Sequence, residues 1–396
     1  MRRRVIDETI LDWPLALAVF LGCNSVISVL VSGAVNKLLT ILVLALPLMA
    51  SILNGHMQLK SKWSLAFVIC YLVAIVPLMV KALAVGNIAS FLYVFLVLFP
   101  FFMLYFATRG KGQMLSLLYK FEAITLVSAV ISLFFWFFGE MLDVIPYLNK
   151  VTYEWGGQTN NENYFFLHFG AQGTRNCGLF VEAPMFNMVL CTSLLIELFL
   201  KPKMKMGYVV LLIVTILTSR STTGQLLIMG ALFVKYFVLS ERKLSVWAKI
   251  GLALGTVVVA AVVLYVGFAI MKEKSGGDSF AVRAAFMLKE LMKFKSSPIW
   301  GVGHLTCLDG TSNSFTLTLA EGGLLQMLIN ALPILWIPWK VSKESGQKEF
   351  KYFAWFFFYL FAITAVPYNQ ITGMMIGFGF AYMLMGKDRY LEEIRK

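Results

Sequence analysis

The sequence predicts an all-α polytopic membrane bundle, about twelve transmembrane helices with two long extracytoplasmic loops. Three observations carry this. Hydrophobic residues make up 59% of the 396 and charged residues 14%, against about 45–50% and about 25% in water-soluble domains. The apolar residues gather into runs that match the ~20 helical residues needed to cross a ~30 Å hydrocarbon core. Lysines and arginines collect in every second gap between those runs, as cytoplasmic loops do in multi-span proteins. A soluble enzyme, a disordered chain and a coiled coil are excluded. The net charge of +13 is explained by this loop bias, so no nucleic-acid partner is expected.

In chain order, the low-charge runs place spans at 14–32, 38–54, 64–83, 88–106, 118–138, 185–200, 206–219, 221–239, 247–270, 318–337, 352–366 and 371–386. With the N-terminus inside, 23 of the 34 lysines and arginines fall on the inner side, among them Arg109, Lys201, Lys340 and Lys387. Both termini are then cytoplasmic. The long loops, 139–184 and 271–317, face outward. The first run has no small-residue cleavage signature, so it reads as an uncleaved span. The chain reads as one transmembrane domain over 1–396, with no soluble domain or visible repeat.

The pair 206–239 needs a decision. Its two runs flank Ser219-Arg220-Ser221-Thr222-Thr223-Gly224. One continuous helix would reverse every later loop and put the basic segments 235–249 and 340–351 outside. Two helices meeting at a turn keep the bias. The first, about 14 residues, reaches only ~21 Å, which sinks the turn below the outer surface. Irregular backbone at that depth must line protein or a wet cavity. Arg220 is then an intramembrane arginine, costly and hence a candidate functional group.

The first long loop ends in Thr174-Arg175-Asn176-Cys177-Gly178-Leu179-Phe180-Val181-Glu182-Ala183-Pro184, with Pro184 suited to a first helical turn. In the second, Ala284, Met287, Leu288, Leu291 and Met292 follow helical spacing and form one apolar stripe, with Arg283 at its edge. This predicts a helix that lies on the outer membrane surface or caps the bundle. Ser297-Pro298 ends it, and Gly301-Val302-Gly303-His304 follows. Cys177 and Cys307 share the outer side, but their spacing does not require a disulfide. No phosphate-binding Gly-rich sequence precedes a Lys-Ser or Lys-Thr, so ATP is not the fuel. No Cys/His or Asp/Glu group has metal-ligand spacing, so neither metal nor cofactor is expected.

Three stretches together resemble the family of O-antigen polymerases and O-antigen ligases. They are Arg175-x-x-Gly178-x-Phe180-x-Glu182-x-Pro184; Thr218-Ser219-Arg220 at the end of a short span; and Arg283 followed by Pro298-x-x-Gly301-x-Gly303, then Ser312-Asn313-Ser314-Phe315-x-x-x-Leu319-Ala320-Glu321-x-Gly323. They cover about 170–330, in the family's order and topology. The first outer loop, 32–37, has no carboxylate, which departs from the oligosaccharyl- and mannosyl-transferase type. Ligase-type members often carry a His directly before the Asn of the third stretch, and here Ser312 stands there.

The resemblance implies a metal-independent inverting glycosyltransferase in the bacterial cytoplasmic membrane. It would join undecaprenyl-pyrophosphate-linked repeat units into O-antigen, capsule or exopolysaccharide. The alternatives are a ligase attaching finished glycan to an acceptor, or a flippase for lipid-linked glycan. The resemblance further implies Arg175, Arg220 and Arg283 as the catalytic cations, with Glu182, Ser219, Ser312, Asn313 and Glu321 around the substrate. His304 is a spatial candidate for a general base. Membrane lipid, a flippase and a chain-length regulator are the implied neighbours.

Overall fold

The computed structural model describes residues 8–31, 33–55, 62–110, 112–147, 151–155, 158–160, 164–167, 169, 175–239, 278–307, 313–364 and 367–394. The expected span 247–270, Ser312, His56 and His168 lie outside the described residues. Among the described residues the regular elements are helices, apart from a hairpin of β1 (Tyr153–Trp155) and β2 (Gln158–Asn160).

The helices are α1 (Glu8–Leu21), α2 (Val26–Leu30), α3 (Gly33–Leu53) and α4 (Lys62–Ala84). Then come α5 (Ile88–Thr108), α6 (Ser116–Met141) and α7 (Ala183–Leu200). A short pair follows, α8 (Met206–Thr218) and α9 (Thr222–Val238). The last group is α10 (Asp278–Ser296), α11 (Ser314–Ser345), α12 (Lys348–Ile363), α13 (Gln370–Met385) and α14 (Lys387–Ile394). Among the described residues, five helices are long and apolar enough to cross a membrane: α4, α5, α6, α7 and α11. Helices α3, α8, α9 and α13 are apolar but shorter.

Helix α1 differs from the expected span at both ends. It is already helical at Glu8, ahead of the expected start at residue 14, and its carboxylates there are neutralised inside the protein. Arg109, at the end of α5, forms ion pairs with Glu8 (3.1 Å) and with Asp12, and all three side chains are buried. The guanidinium also lies over the Tyr105 ring at 4.0 Å, and the Tyr105 hydroxyl donates to Asp12 at 2.8 Å. At its other end the helix stops at Leu21. Gly22-Cys23-Asn24-Ser25 turns, with Asn24 in the left-handed region (φ 59°), and Ser25 caps α2 by accepting from Ser28 N at 3.1 Å.

The core is one continuous apolar cluster running through α1, α5, α6, α7, α12 and α13. Helix α13 lies along α5, and Gly377 permits the contact, since a Cβ there would stand 2.4 Å from Phe102 Cβ. Helices α8 and α9 form a tight hairpin against α7. Gly224 permits it, since a Cβ there would meet Asn187 Oδ1 at 2.0 Å and Ile216 Cγ2 at 2.6 Å.

Hydrogen bonds sort the connections into two ends. One end joins Glu8, Asn54, Arg109 and Arg389, and also Gly112 with Glu393 and Ser64 with Leu384. Lys201 bridges Glu122 of α6 (2.7 Å) and Glu197 of α7 (3.3 Å) at this end. The other end joins the 22–25 break to 179–181, Asn176 to Thr218, Asn87 to His304, and Ser314 to Thr364. These are the two sets of segments that the charge bias separates.

Candidate functional site

The first and second sequence stretches meet. The segment before α7 crosses the second end of the bundle and is fastened on two sides. On one side, Val26 N donates to Leu179 O (2.8 Å) and Val181 N to Asn24 O (3.2 Å), so the segment lies in the break of the first apolar run. Phe180 packs on Phe20 and stacks on Phe186, with ring centroids 5.1 and 5.4 Å away. On the other side, Asn176 N donates to Thr218 O at 3.0 Å, and its amide bonds Thr218 Oγ1 and Ser132 Oγ, each at 3.3 Å. Asn176 is fully buried, and its Oδ1 also accepts from Gly178 N at 3.0 Å.

This fastening puts Arg175 at the turn between α8 and α9. Arg175 Nε donates to Ser219 O at 3.3 Å, and the next residue is Arg220. The turn is short: Ser219 ends α8 with its hydroxyl on Ile216 O (2.7 Å), and Ser221 leads into α9. Ser219 and Ser221 are buried, while the Arg175 and Arg220 side chains are exposed. Arg220 holds a left-handed backbone (φ 50°), a conformation that disfavours a residue with Cβ by about 1–2 kcal/mol. Among the described residues, neither guanidinium has an acidic partner. Two guanidinium side chains thus leave one short junction, and such groups can give bidentate hydrogen bonds to an anion. Glu182 lies at the start of α7 on the same segment, in extended backbone just ahead of the first turn.

The third stretch builds a different object. Helix α11 is broken at Gly323 (φ 63°, ψ −161°). The segment after α10 fills the break: Leu324 N donates to Pro298 O (2.8 Å), Leu325 N to Ile299 O (3.2 Å), Val302 N to Ala320 O and Gly303 N to Glu321 O (both 2.9 Å). Gly301 is itself left-handed (φ 66°), and a Cβ on it would sit 2.2 Å from Glu321 O. The glycines of this stretch therefore serve a backbone-on-backbone contact. Glu321 is buried. Its Oε1 accepts from Cys307 N at 3.2 Å, and its Oε2 from the Tyr368 hydroxyl at 2.5 Å, which in turn accepts from Gln326 at 2.9 Å. Burial, then the adjacent carboxylate, hold the Tyr368 phenol well above its ordinary value, so it remains a donor.

His304 is 3% exposed and stands in an aromatic box. Its ring lies 4.5 Å from Tyr368, 5.8 Å from Phe91 and 6.1 Å from Phe95, and its Nε2 is 3.4 Å from Ser90 Oγ. Burial, with the positive charge of Lys37 second, pulls its pKa down to about 4, so the imidazole is neutral near pH 7. Asn313 caps α11, its Oδ1 accepting from Thr316 N at 2.9 Å. Arg283 is exposed on α10, a helix that packs on α11. Cys177 and Cys307 are both free thiols, so the optional disulfide is absent.

Of the sequence candidates, Arg175, Ser219 and Arg220 are thus brought together, with Glu182 on the same segment. His304 and Glu321 form a second cluster, linked through Tyr368. Asn176 and Tyr368, which fasten the two clusters, were missed by sequence reasoning. Asn176 sits between two motif residues as an apparently neutral spacer, and Tyr368 gives no local signal. No protein-family model, curated protein or solved structure matches the chain.

Proposed function

We propose that the chain is a twelve-span membrane glycosyltransferase of the O-antigen polymerase type, with both termini cytoplasmic. It would extend undecaprenyl-pyrophosphate-linked repeat units at the outer face of the bacterial cytoplasmic membrane. The observation that carries this reading is the Arg175–Ser219–Arg220 junction. Two separate segments of chain, fastened by a buried asparagine, bring to one turn two guanidinium groups that have no ion-pair partner among the described residues.

In the proposed reaction, an acceptor sugar hydroxyl attacks the anomeric carbon of the lipid-linked donor from the face opposite the pyrophosphate. The new C–O bond forms as the bond to pyrophosphate breaks. The leaving group departs with the electron pair, and the hydroxyl proton passes to a base or to water. Negative charge grows on the departing pyrophosphate, and fixed guanidinium donors aimed at it lower the barrier. Arg175 and Arg220 fill that role. His304 is in the protonation state a base needs, but its burial among three rings favours the reading in which no side chain is an obligate base.

Polymerase is preferred to ligase because Ser312 stands where ligase-type members carry His. It is preferred to a flippase because the segments assigned to the outer side carry Arg175, Arg220 and Arg283, which a transporter does not need. The test supplies purified protein in detergent, where no barrier exists, with a lipid-linked repeat unit. Lengthened glycan on the lipid supports the reading. Transfer only to an added lipid-core acceptor would make the protein a ligase, and movement of substrate in sealed vesicles without any product would make it a flippase.

A further inference from the structure

The apolar stripe on α10 is not the face that holds the helix to the protein. Glu290 is buried against α11, where Thr316 Oγ1 donates to it, and Lys293 reaches Thr306 O at 2.7 Å and Cys307 Sγ at 3.4 Å. The stripe lies on the opposite side. Met287, Leu288, Leu291 and Met292 are 38, 54, 36 and 71% exposed. A helix that turns polar groups inward and large apolar groups outward has inverted the pattern of a water-facing helix.

Its direction explains why. Glu290 stands beside Thr316, and eight residues later Pro298 stands beside Leu324. Helix α10 therefore runs in the same sense as the first turns of α11, advancing ~12 Å over eight residues. The chain then turns at Ile299-Trp300-Gly301, which brings Val302 and Gly303 back beside Ala320 and Glu321. Backbone groups at this turn are bonded to the broken part of α11, which is the condition for irregular backbone to enter a membrane. At its tip, Ile299 and Trp300 are exposed, continuous with the exposed Phe315, Leu324 and Leu328 of α11, itself a candidate span.

We propose that α10 and the 297–301 turn form a re-entrant element immersed in one bilayer leaflet, its stripe against acyl chains and its flanks against anionic lipid headgroups. Charge selects that occupant. The described charged side chains exposed on α10 are all basic: Arg283 on one edge of the stripe, Lys289 on the other and Lys295 near the tip. A water-facing surface would not need the stripe, and a second copy of this chain would bring the same cations to face these.

The experiment uses the full chain with Cys70→Ser, Cys70 being the exposed native thiol. Single cysteines at Lys289, Leu288, Met292 and Ile299 carry an environment-sensitive fluorophore, in vesicles of phosphatidylcholine with about one third phosphatidylglycerol. Acyl-chain spin-labelled lipid should quench Ile299→Cys most, Leu288→Cys and Met292→Cys less and Lys289→Cys least, while aqueous iodide shows the reverse order. Spin-labelled phosphatidylglycerol should quench the stripe labels several-fold more than the phosphatidylcholine analogue, and Lys289→Gln with Lys295→Gln should remove that preference. Strong iodide quenching at all four sites overturns the proposal. So does protection from both quenchers with Met292→Cys cross-linking to itself, which would assign the stripe to a second copy. Equal quenching by the two headgroups overturns the electrostatic half.

Discussion

Among the described residues, no carboxylate forms an ion pair with Arg175 or Arg220, and the two share one junction. If they stabilise a developing pyrophosphate, Arg175→Ala and Arg220→Ala should each reduce polymer synthesis at least ~30-fold, from the ~2–5 kcal/mol that losing one partner of a charge pair typically costs. Because both side chains are exposed, the lower end of that range is expected. Arg→Lys should restore little, since an ammonium lacks the planar fork. Full activity of both Lys variants would reduce the site to a diffuse positive field. Arg220→Gly separates structure from chemistry. It relieves the left-handed strain at φ 50°, so thermal stability should hold or rise while activity falls as in the alanine variant. His304 gives a pH prediction. Its pKa is about 4 in the folded protein and ~6.5 when exposed, so the unfolded chain binds more protons between those values. Stability should then fall as pH drops from about 6.5 towards 4, by up to ~3 kcal/mol, and His304→Gln should flatten the melting-temperature profile. If the imidazole is also the base, the acid limb of activity lies near pH 4, and the variant loses that limb with ~100-fold or more in rate. An unchanged activity profile in His304→Gln assigns the residue to packing alone.

The elements that hold the site are those whose backbone departs from a plain span. The break at Gly22–Ser25, the turn at Ser219–Ser221 and the kink at Gly323 each expose backbone groups, and each is met by another segment. Gly323→Ala forces a side chain into a left-handed position and towards Ile299 O, 2.4 Å from the ideal Cβ. Gly301→Ala does the same against Glu321 O. Either should uncouple the 297–307 segment, read as faster proteolysis there and at least a ~10-fold loss of polymer synthesis, with insertion retained. Native cleavage rates would show that α11 tolerates the change without that segment. The sequence signalled each break differently. Ser219–Gly224 announced itself by polarity and by the topology it protected. Gly22-Cys23-Asn24-Ser25 carried turn residues too, but an apolar run on both sides masked them. Gly323 was visible only as a motif glycine, because helix continuity through residue 345 depends on bonds to Pro298 and Ile299, which are distant in local pattern.

At the scale of the whole molecule, buried ion pairs tie the helices together at one end. Removing Arg109 leaves Glu8 and Asp12 buried and uncompensated, a cost of about 3–5 kcal/mol. Arg109→Ala should therefore lower the melting temperature in detergent sharply, and Arg109→Met combined with Glu8→Gln and Asp12→Asn should recover much of it. A single variant as stable as wild type would mean that the cluster is solvated. Topology is checked by accessibility: tags near residues 160 and 278 should react from outside, and tags near 204, 244 and 345 should not. External labelling at 244 would overturn the orientation from Arg220 onward. The sequence by itself determined the helical membrane class, most helix positions to within a few residues, which segments share an end, and the α8–α9 hairpin. All of these follow from hydrophobic runs and charge bias, which are local properties of the chain. The tertiary structure decided that Glu8 and Asp12 are carried inside on α1, that Arg175 reaches the turn at Ser219, that His304 is boxed by aromatics, and which way α10 faces. Each of those rests on a partner far away in sequence — Arg109 for Glu8, Ser219 for Arg175, Tyr368 for His304, Thr316 for Glu290 — and no local pattern encodes which distant group will neutralise a charge or cover a face.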